Sequence, residues 1–213
     1  MPKPRIVLGD DHSLILEGLR SVLQNDFEIA GIATNGRELV EIAERLKPDA
    51  VVLDISMPLL NGMEAARQIR KTIPATKLLF VTQKSEREYV KAALQMGASG
   101  YILKQSLVSE LVPALREVLN GRFYITPDLR NSLPGIWHST QNPSELFATE
   151  LTPRQREILQ LVAEGKSNKE IAALLSISIK TVDFHKAAIM DELGIRSTAE
   201  LTRYALRQGI SGE

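Results

Sequence analysis

Short apolar runs alternate with longer amphipathic segments between residues 5 and 120, and no other feature restricts the fold of this chain as strongly. Five of these runs predict β-strands at residues 6–8, 28–33, 50–53, 77–82 and 100–104. The segments between them carry apolar residues at helical spacing, which indicates βα units around a parallel sheet. The first part of the chain is therefore predicted to be an α/β doubly wound fold with a five-stranded parallel sheet.

Four of the five predicted strands end in polar residues. These residues are Asp10, Asp11, Asp54, Thr82 and Lys104. Because helices return every strand of a parallel sheet in the same direction, the carboxyl ends of the strands share one edge, where sites in such folds gather. Three carboxylates a few Å apart repel each other by about 4 kcal/mol per pair at an effective dielectric constant near 20. We therefore expect a bound cation, and Mg²⁺, which needs only one or two protein carboxylates, suits the set better than Ca²⁺.

Composition restricts the class of protein. With 213 residues and a net charge of zero, the chain is long enough for two globular domains and has no overall preference for nucleic acid or membranes. The absence of cysteine excludes disulfides and thiolate chemistry. No apolar run is long enough to span a membrane, and the first residues lead into too short an apolar run for a signal peptide. We therefore expect a cytoplasmic protein without membrane contact.

The regular periodicity stops after residue 121. Residues 122–149 contain several turn and breaker signals centred on proline. We therefore predict one domain at residues 1–121, an interdomain linker at 122–149, and a second domain at 150–213. Trp137, the only tryptophan, lies in the predicted linker, where it is either an exposed aromatic or an anchor that holds the linker on one domain.

Capping signals mark the helices of the second domain. Thr152, Ser167 and Ser197 each precede a glutamine or glutamate by three residues, which is the capping-box pattern, and Ser178 offers a further N-cap. These signals predict four helices at residues 153–164, 168–175, 179–193 and 198–208. The short connection between the second and third helices is typical of a helix-turn-helix. The second domain is therefore predicted to be a small all-α unit.

The third predicted helix has a short, partly apolar and weakly basic outer face. Charge does not decide what this face binds, because residues 151–213 carry nine basic and eight acidic side chains and so attract phosphate groups only weakly. From the residues alone, the face is compatible with either DNA or another protein.

A set of spaced residues in the first domain carries a family resemblance. The set is Asp10-Asp11, Asp54 with Met57-Pro58 and Gly62, Thr82, and Lys104 preceded by Tyr101. Over residues 5–120 it resembles the receiver domain of two-component response regulators. The resemblance implies a flavodoxin-like receiver whose Asp54 accepts a phosphoryl group from a histidine kinase. It also implies that Asp11, Asp54 and the main-chain carbonyl of Ser56 bind Mg²⁺, with Asp10 reaching the metal through water.

The same resemblance implies a switch. Thr82 is expected to turn its hydroxyl toward the phosphoryl group, Lys104 to pair with the phosphoryl oxygens, and Tyr101 to move inward afterwards. The face built from residues 86–120 would carry the change outward. The chemistry of the domain would be limited to autophosphorylation and slow autodephosphorylation at Asp54.

The second domain also carries a resemblance, in residues 151–159, 165–172, 180–185 and 193–195. These stretches look like the LuxR-type DNA-binding domain, which implies that the third helix enters the major groove. The residues implied near bases or backbone are Lys180, Thr181, Asp183, Phe184 and Ala187, and those implied near phosphates are Lys166, Asn168, Lys169 and Lys186. Many members of the family carry a basic residue where this chain has Asp183. An acidic side chain there can accept a hydrogen bond from a cytosine amino group, so we hypothesise a role in specificity.

The order of the two domains resembles the NarL/FixJ class of bacterial response regulators. We therefore predict a transcription regulator in which phosphorylation by a cognate histidine kinase relieves inhibition or drives homodimerisation, so that two third helices read two half-sites of double-stranded promoter DNA. One alternative is a regulator that acts through protein contacts. Another is an aspartyl-phosphate phosphotransferase, which would need an acid where Ser56 stands. No catalytic role is predicted for His12, His138 or His185.

Overall fold

A computed structural model describes residues 2–132, 151–207 and 210 of the chain. The strands are β1 (Arg5–Gly9), β2 (Glu28–Ala33), β3 (Ala50–Leu53), β4 (Lys77–Thr82), β5 (Gly100–Leu103) and β6 (Tyr124–Ile125). They form one parallel sheet in the order β2-β1-β3-β4-β5-β6. The first five strands occupy the positions that the apolar runs predict, which confirms the α/β doubly wound fold. The predicted linker residues Trp137 and His138 lie outside the described residues.

Five α-helices cover both faces of the sheet. They are α1 (Ser13–Leu23), α2 (Gly36–Leu46), α3 (Gly62–Thr72), α4 (Arg87–Gln95) and α5 (Leu107–Leu119). The helices α2, α3 and α4 pack on one face and α1 and α5 on the other, around separate apolar clusters. Because side chains alternate across a strand, Val51 and Leu53 of β3 join the first cluster, and Ala50 and Val52 join the second. The central strand is thus buried on both faces, as its continuous apolar run predicts.

The sixth strand corrects the prediction of a five-stranded sheet. β6 pairs in parallel with β5, and α6 (Pro127–Ser132) follows it. Between them Thr126 is fully buried, and its hydroxyl accepts a hydrogen bond from the Leu103 amide at 3.1 Å. Two residues are too few to show a strand period, so β6 could not be recognised within the predicted linker. The start of that segment therefore packs on the first domain.

Four helices form the second domain, as predicted. They are α7 (Pro153–Ala163), α8 (Asn168–Leu175), α9 (Ile179–Leu193) and α10 (Thr198–Arg207), which share one apolar core. Thr152 and Ser167 form complete capping boxes, and the Ser178 hydroxyl accepts a hydrogen bond from the Thr181 amide at 3.0 Å. Within the described ranges of both domains, no helix has the length and apolar character needed to cross a membrane.

The two domains touch mainly through α7. Glu157 on this helix accepts hydrogen bonds from Arg37 of α2 at 3.4 Å and from Gln68 of α3 at 3.2 Å. Leu59, in the loop between β3 and α3, packs against the apolar core of the second domain. The contact therefore includes the loop that begins immediately after Asp54.

Candidate functional site

Asp10, Asp11 and Asp54 come together at the carboxyl edge of the sheet. β1 and β3 are neighbouring parallel strands, so the residues that follow them are adjacent. Asp10 and Asp54 are only 1% and 3% exposed, whereas Asp11 is exposed. Together with His12, these side chains place ligand atoms within 4.8 Å of one another. The acidic cluster that the strand ends predict is present in the structure.

Backbone contacts hold Asp54 in place. Its amide donates a hydrogen bond to the Gly9 carbonyl at 2.9 Å, and the Ile55 amide donates to Asp54 Oδ1 at 2.7 Å. Gly62, at the start of α3, lies against the same backbone, and a Cβ there would be 1.8 Å from the Asp54 carbonyl oxygen. Glycine at position 62 thus permits α3 to begin directly beside Asp54.

Lys104 supplies a positive charge to the cluster. Its Nζ lies 2.7 Å from Oδ2 of Asp10 and 2.7 Å from Oδ2 of Asp54. Burial opposes the charged form of this side chain, but the hydrogen bonds to the two aspartates outweigh burial and raise the pKa of Lys104 above its ordinary value of 10.5. Lys104 is therefore a fixed cation that neutralises part of the acidic cluster.

The rest of the cluster fits a divalent cation. Three aspartates and one lysine leave an excess of negative charge in a region where two of the carboxylates are shielded from water. Carboxylate oxygens are the ligands that Mg²⁺ prefers in proteins. Ser56, whose carbonyl is a predicted ligand, lies two residues after Asp54 in the loop that leads to α3. The donor set at this edge is thus chemically suited to Mg²⁺.

His12 lies closer to the acidic cluster than the sequence indicates. Its Nδ1 is 2.8 Å from Asp11 Oδ1 and 3.1 Å from Asp10 Oδ1. The His12 amide also donates a hydrogen bond to Asp10 Oδ1 at 2.9 Å. A single histidine without a spaced partner gives no signal of such a contact, which arises from the turn at the end of β1.

Thr82 and Tyr101 are linked through the backbone of Lys84. The Thr82 hydroxyl accepts a hydrogen bond from the Lys84 amide at 3.3 Å, and the Tyr101 hydroxyl donates to the Lys84 carbonyl at 2.7 Å. Tyr101 is only 1% exposed. Burial raises the pKa of Tyr101 well above 10.0, and the nearby Glu86 and Asp54 raise it further. Tyr101 thus occupies an inward position, and its hydroxyl contacts protein.

The outer face of α9 is open to solvent. Lys180, Asp183, Phe184 and Ala187 are exposed. The Phe184 side chain is 69% exposed and meets the His185 ring edge-on, with 5.7 Å between ring centroids. Val182 and Ile189, on the opposite side of the helix, are fully buried in the core. The first domain therefore leaves this face of α9 uncovered.

A polar network joins α8 to α9 at the edge of this face. The side-chain Nδ2 of Asn168 donates a hydrogen bond to Asp183 Oδ1 at 2.5 Å, and Lys186 donates to Asn168 Oδ1 at 3.0 Å. Lys166 and Lys169 flank Asn168 in the sequence. The remaining predicted residue, Thr181, shares a hydrogen bond with the Ser178 hydroxyl at 2.8 Å. The nine predicted DNA-contacting residues thus lie on α9, at the start of α8 and in the turn that precedes α8.

Family models match both domains. Residues 6–116 match the response regulator receiver domain, and residues 149–205 match the LuxR family of bacterial regulatory proteins. The chain belongs to the NarL/FixJ class of response regulators. This response regulator therefore combines a receiver domain with a LuxR-type helix-turn-helix DNA-binding domain, the arrangement of a two-component transcription regulator.

The response regulator is similar to full-length relatives. The transcriptional regulatory protein MctR of Rhizobium johnstonii is 37% identical over 211 residues, which cover 98% of this chain and 96% of MctR. The oxygen regulatory protein NreC of Staphylococcus aureus is 38% identical over 211 residues, covering 96% and 97% of the two chains.

Solved structures of the response regulator RcsB share the fold. One from Salmonella typhimurium is 25% identical, with a TM-score of 0.61 over 96% of this chain and 97% of RcsB. A complex of RcsB with DNA is 26% identical, with a TM-score of 0.56 over 95% and 97% of the two chains.

The residues that join the two domains of this response regulator have no signal in the sequence. Gln160 of α7 is only 1% exposed, and Glu64 of α3 is also buried. Arg156 lies beside them, with its Nε 3.0 Å from Glu64 Oε2. Arg156 and Gln160 are polar residues four apart on one helix, a spacing that ordinarily indicates a solvated face. The sequence therefore does not indicate that Gln160 and Glu64 are buried.

Proposed function

We propose that this protein is a phosphorylation-dependent transcription regulator in which Asp54 accepts a phosphoryl group from a cognate histidine kinase in the presence of Mg²⁺. The observation that supports this most directly is the bridge from Lys104 to Asp10 and Asp54, 2.7 Å on each side, within an otherwise acidic and buried cluster. In this cluster, where Asp10 and Asp54 are buried and Asp11 is exposed, a nucleophilic carboxylate lies beside groups that can neutralise phosphoryl oxygens.

In the proposed reaction, an oxygen of Asp54 forms a bond to phosphorus while the bond from phosphorus to the kinase histidine nitrogen breaks. The leaving nitrogen takes the electron pair, and the product is an acyl phosphate. Because Asp54 Oδ1 accepts a hydrogen bond from the Ile55 amide, we expect Oδ2 to react. Lys104, which contacts Oδ2 at 2.7 Å before the reaction, would then pair with a phosphoryl oxygen.

Asp11, Asp54 and the Ser56 carbonyl would hold Mg²⁺, with Asp10 contacting it through water. When bound, Mg²⁺ supplies charge neutralisation at the phosphoryl oxygens. The residues themselves place the reacting carboxylate and exclude water from two of the three aspartates. We propose no further catalytic chemistry than autophosphorylation and slow autodephosphorylation at Asp54.

The phosphoryl group adds nearly two negative charges beside Asp10. We expect the Thr82 hydroxyl to turn toward this group and to release the Lys84 amide, whose distance from it is now 3.3 Å. Because the Tyr101 hydroxyl donates to the Lys84 carbonyl, the change would reach α4, β5 and α5 through this backbone segment. In this proposal Tyr101 is held inward from the start and does not first have to enter the core.

For the second domain, we propose that α9 enters the major groove of promoter DNA. The exposed position of Lys180, Asp183, Phe184 and Ala187 supports this, as does the similarity to RcsB, which has been solved bound to DNA. A nearly neutral domain binds DNA modestly. We therefore propose a homodimer on phosphorylation, because two linked reading helices gain affinity through effective concentration.

A gel-shift titration tests the proposed function. The protein is titrated onto promoter DNA with and without acetyl phosphate and Mg²⁺, and Asp54→Ala is the control. We expect phosphodonor and Mg²⁺ to increase the affinity of the unmodified protein by about tenfold or more, and to leave Asp54→Ala unchanged.

Three results would contradict the proposal. Unchanged DNA binding after measured phosphorylation would exclude the switch. Failure to bind any DNA, at low and high salt alike, would favour a regulator that acts through protein contacts on the apolar face around Phe184. Turnover of generic phosphate esters would instead favour the phosphotransferase alternative.

A further inference from the structure

Four hydrogen bonds to the receiver domain come from one stripe of α7. Arg156, Gln160 and Glu164 are spaced four residues apart and therefore lie on one side of the helix. Arg156 contacts Glu64 at 3.0 Å, and Glu164 Oε1 accepts a hydrogen bond from the Leu59 amide at 3.2 Å. The stripe thus faces the loop between β3 and α3, together with the start of α3.

Gln160 is the centre of this stripe and uses every polar atom of its side chain. Its Oε1 accepts a hydrogen bond from the Asn61 amide at 2.7 Å. Its Nε2 donates to the Met57 carbonyl at 3.0 Å and to Glu164 Oε1 at 2.8 Å. The buried amide therefore pairs with two backbone groups of the receiver loop, and it fits only one spacing of those groups. Gln160 is thus sensitive to the conformation of the loop.

The same loop is tied to Asp54. The Ile55 amide donates to Asp54 Oδ1, and the Ile55 carbonyl accepts hydrogen bonds from the Met57 amide at 3.1 Å and the Gly62 amide at 2.8 Å. Leu59 has a φ of 65°, in the left-handed region that side-chain-bearing residues seldom adopt. A continuous set of hydrogen bonds therefore runs from the Asp54 carboxylate, through this loop, to Gln160.

We propose that Gln160 couples docking of the DNA-binding domain to the chemical state of Asp54. Phosphorylation of Asp54 shifts the Met57 carbonyl and the Asn61 amide relative to each other, and the Gln160 side chain no longer pairs with both. A buried amide without its partners is unfavourable, so the domains separate and these groups are hydrated. The inference rests on the proposed function, because it takes Asp54 as the phosphoacceptor.

Docking does not act by covering the reading helix, because the outer face of α9 is exposed while α7 is docked. It instead fixes α9 in one orientation on its own receiver. Two reading helices of a dimer must lie about 34 Å apart to enter successive major grooves. Release of α7 frees each DNA-binding domain to reach that spacing.

Reciprocity gives a quantitative expectation. If a ligand of the Asp54 pocket weakens docking, then weakening docking must tighten the binding of that ligand by the same factor. Beryllofluoride with Mg²⁺ is a suitable probe, since it mimics a phosphoryl group on a carboxylate without covalent turnover.

Amide hydrogen exchange of the full chain measures docking directly. The Leu59 and Asn61 amides donate to Glu164 and Gln160 of the other domain, whereas the Gly62 amide donates to Ile55 within the receiver. We expect Gln160→Ala to accelerate exchange at positions 59 and 61 at least tenfold and to leave position 62 unchanged. Mg²⁺ with beryllofluoride should accelerate positions 59 and 61 in the unmodified protein.

Gln155→Ala is the matched control. Gln155 lies on the same helix and is buried, but its side chain caps α7 by accepting a hydrogen bond from the Thr152 amide at 2.7 Å. Gln155→Ala should leave the rate of amide exchange at positions 59 and 61 as it is in the unmodified protein. If Gln160→Ala does not fold, Arg156→Gln, which removes the contact to Glu64, replaces it with the same expectation.

Calorimetric titration separates the possible failures. Beryllofluoride with Mg²⁺ should bind Gln160→Ala at least threefold more tightly than the unmodified protein. Binding of equal strength, or saturable binding that leaves exchange at positions 59 and 61 unchanged, would overturn the coupling and leave the proposed function intact. No binding by the unmodified protein, together with no phosphorylation of Asp54, would overturn the proposed function as well.

Discussion

The acidic cluster of the receiver and the outer face of α9 differ in how their charges meet water. Asp10, Asp54 and the Lys104 side chain are nearly buried, and Lys104 Nζ lies 2.7 Å from each of the two carboxylates. Lys180 and Asp183 on α9 are exposed. Solvent cannot replace a lost partner of a buried charge, whereas water and salt screen an exposed one. Substitutions should therefore have large effects in the cluster, and smaller, salt-dependent effects on α9.

Lys104→Met tests the buried side of this comparison. Two buried carboxylates lose their cation, so we expect the free energy of unfolding in EDTA to fall by about 3 kcal/mol, measured by urea denaturation near neutral pH. Arg116→Met is the control, because Arg116 contacts Asp26 at the same 2.7 Å on the surface and should matter by less than about 1 kcal/mol. Equal losses of stability in the two variants would show that burial of an ion pair does not determine the effect of removing its cation.

The pH dependence of the Lys104 effect follows from its raised pKa. A lysine whose pKa is higher in the folded than in the unfolded protein stabilises the fold fully below the ordinary value of 10.5. That stabilisation is lost as the pH rises through the folded pKa. The stability difference between the unmodified protein and Lys104→Met should therefore be constant near neutral pH and shrink above about pH 10.5. A difference that grows at alkaline pH would contradict the assigned role.

Gly62→Ala tests whether the geometry beside Asp54 depends on backbone packing as well as charge. The new Cβ would be 1.8 Å from the Asp54 carbonyl oxygen, so α3 or the loop must move. We expect a loss of about 2 to 3 kcal/mol in urea denaturation. Gly18→Ala is the control, since Gly18 is exposed on α1 with nothing within 4 Å of a new Cβ. It should raise stability by up to about 1 kcal/mol, and a similar gain at position 62 would refute the close approach.

The receiver site was predictable because its residues depend on local patterns and one global rule. Asp10, Asp54, Thr82 and Lys104 each follow an apolar run, and parallel strands bring such residues to one edge. Caps at Thr152, Ser167 and Ser178 likewise depend on a few neighbouring residues, so the helices of the second domain began where the sequence predicts. Structural features that depend on a single helix or strand, or on the common direction of the strands in the sheet, could therefore be predicted from the sequence.

The contacts that depend on docking between distant segments could not be predicted from the sequence. Gln160 and Glu64 are polar residues on helix surfaces that are buried where each contacts the other domain. His12 contacts two aspartates because of a turn that has no strong sequence signal. The link from Thr82 to Tyr101 passes through main-chain atoms of Lys84, which every residue type has, so the sequence does not indicate it.

Phe184→Ala tests the exposed side of the comparison. Because the side chain is 69% exposed, its removal should leave the free energy of unfolding unchanged within about 0.5 kcal/mol. We expect DNA affinity to fall by about tenfold in fluorescence anisotropy titrations at fixed salt, since an apolar contact to a base is lost. Leu14→Ala, 78% exposed on α1 of the receiver, is the control and should leave DNA affinity unchanged. Loss of stability without loss of affinity would place Phe184 in the core instead of on the reading face.

Asp183→Ala should have the smallest effect on total affinity and a specific effect on sequence preference. If the carboxylate accepts a hydrogen bond from a cytosine amino group, the variant should lose about fivefold of its discrimination at one base pair, measured by selection from a randomised operator library at fixed salt. Asp191→Ala, an equal change of charge at an exposed position of the same helix, controls for the general gain in attraction to phosphates. Asp183 also accepts a hydrogen bond from Asn168 at 2.5 Å, so a structural role predicts a different result: a uniform change across all operators that Asn168→Ala reproduces. An unchanged preference in Asp183→Ala would assign this carboxylate to the contact between α8 and α9, and would leave Phe184 as the first candidate for base recognition.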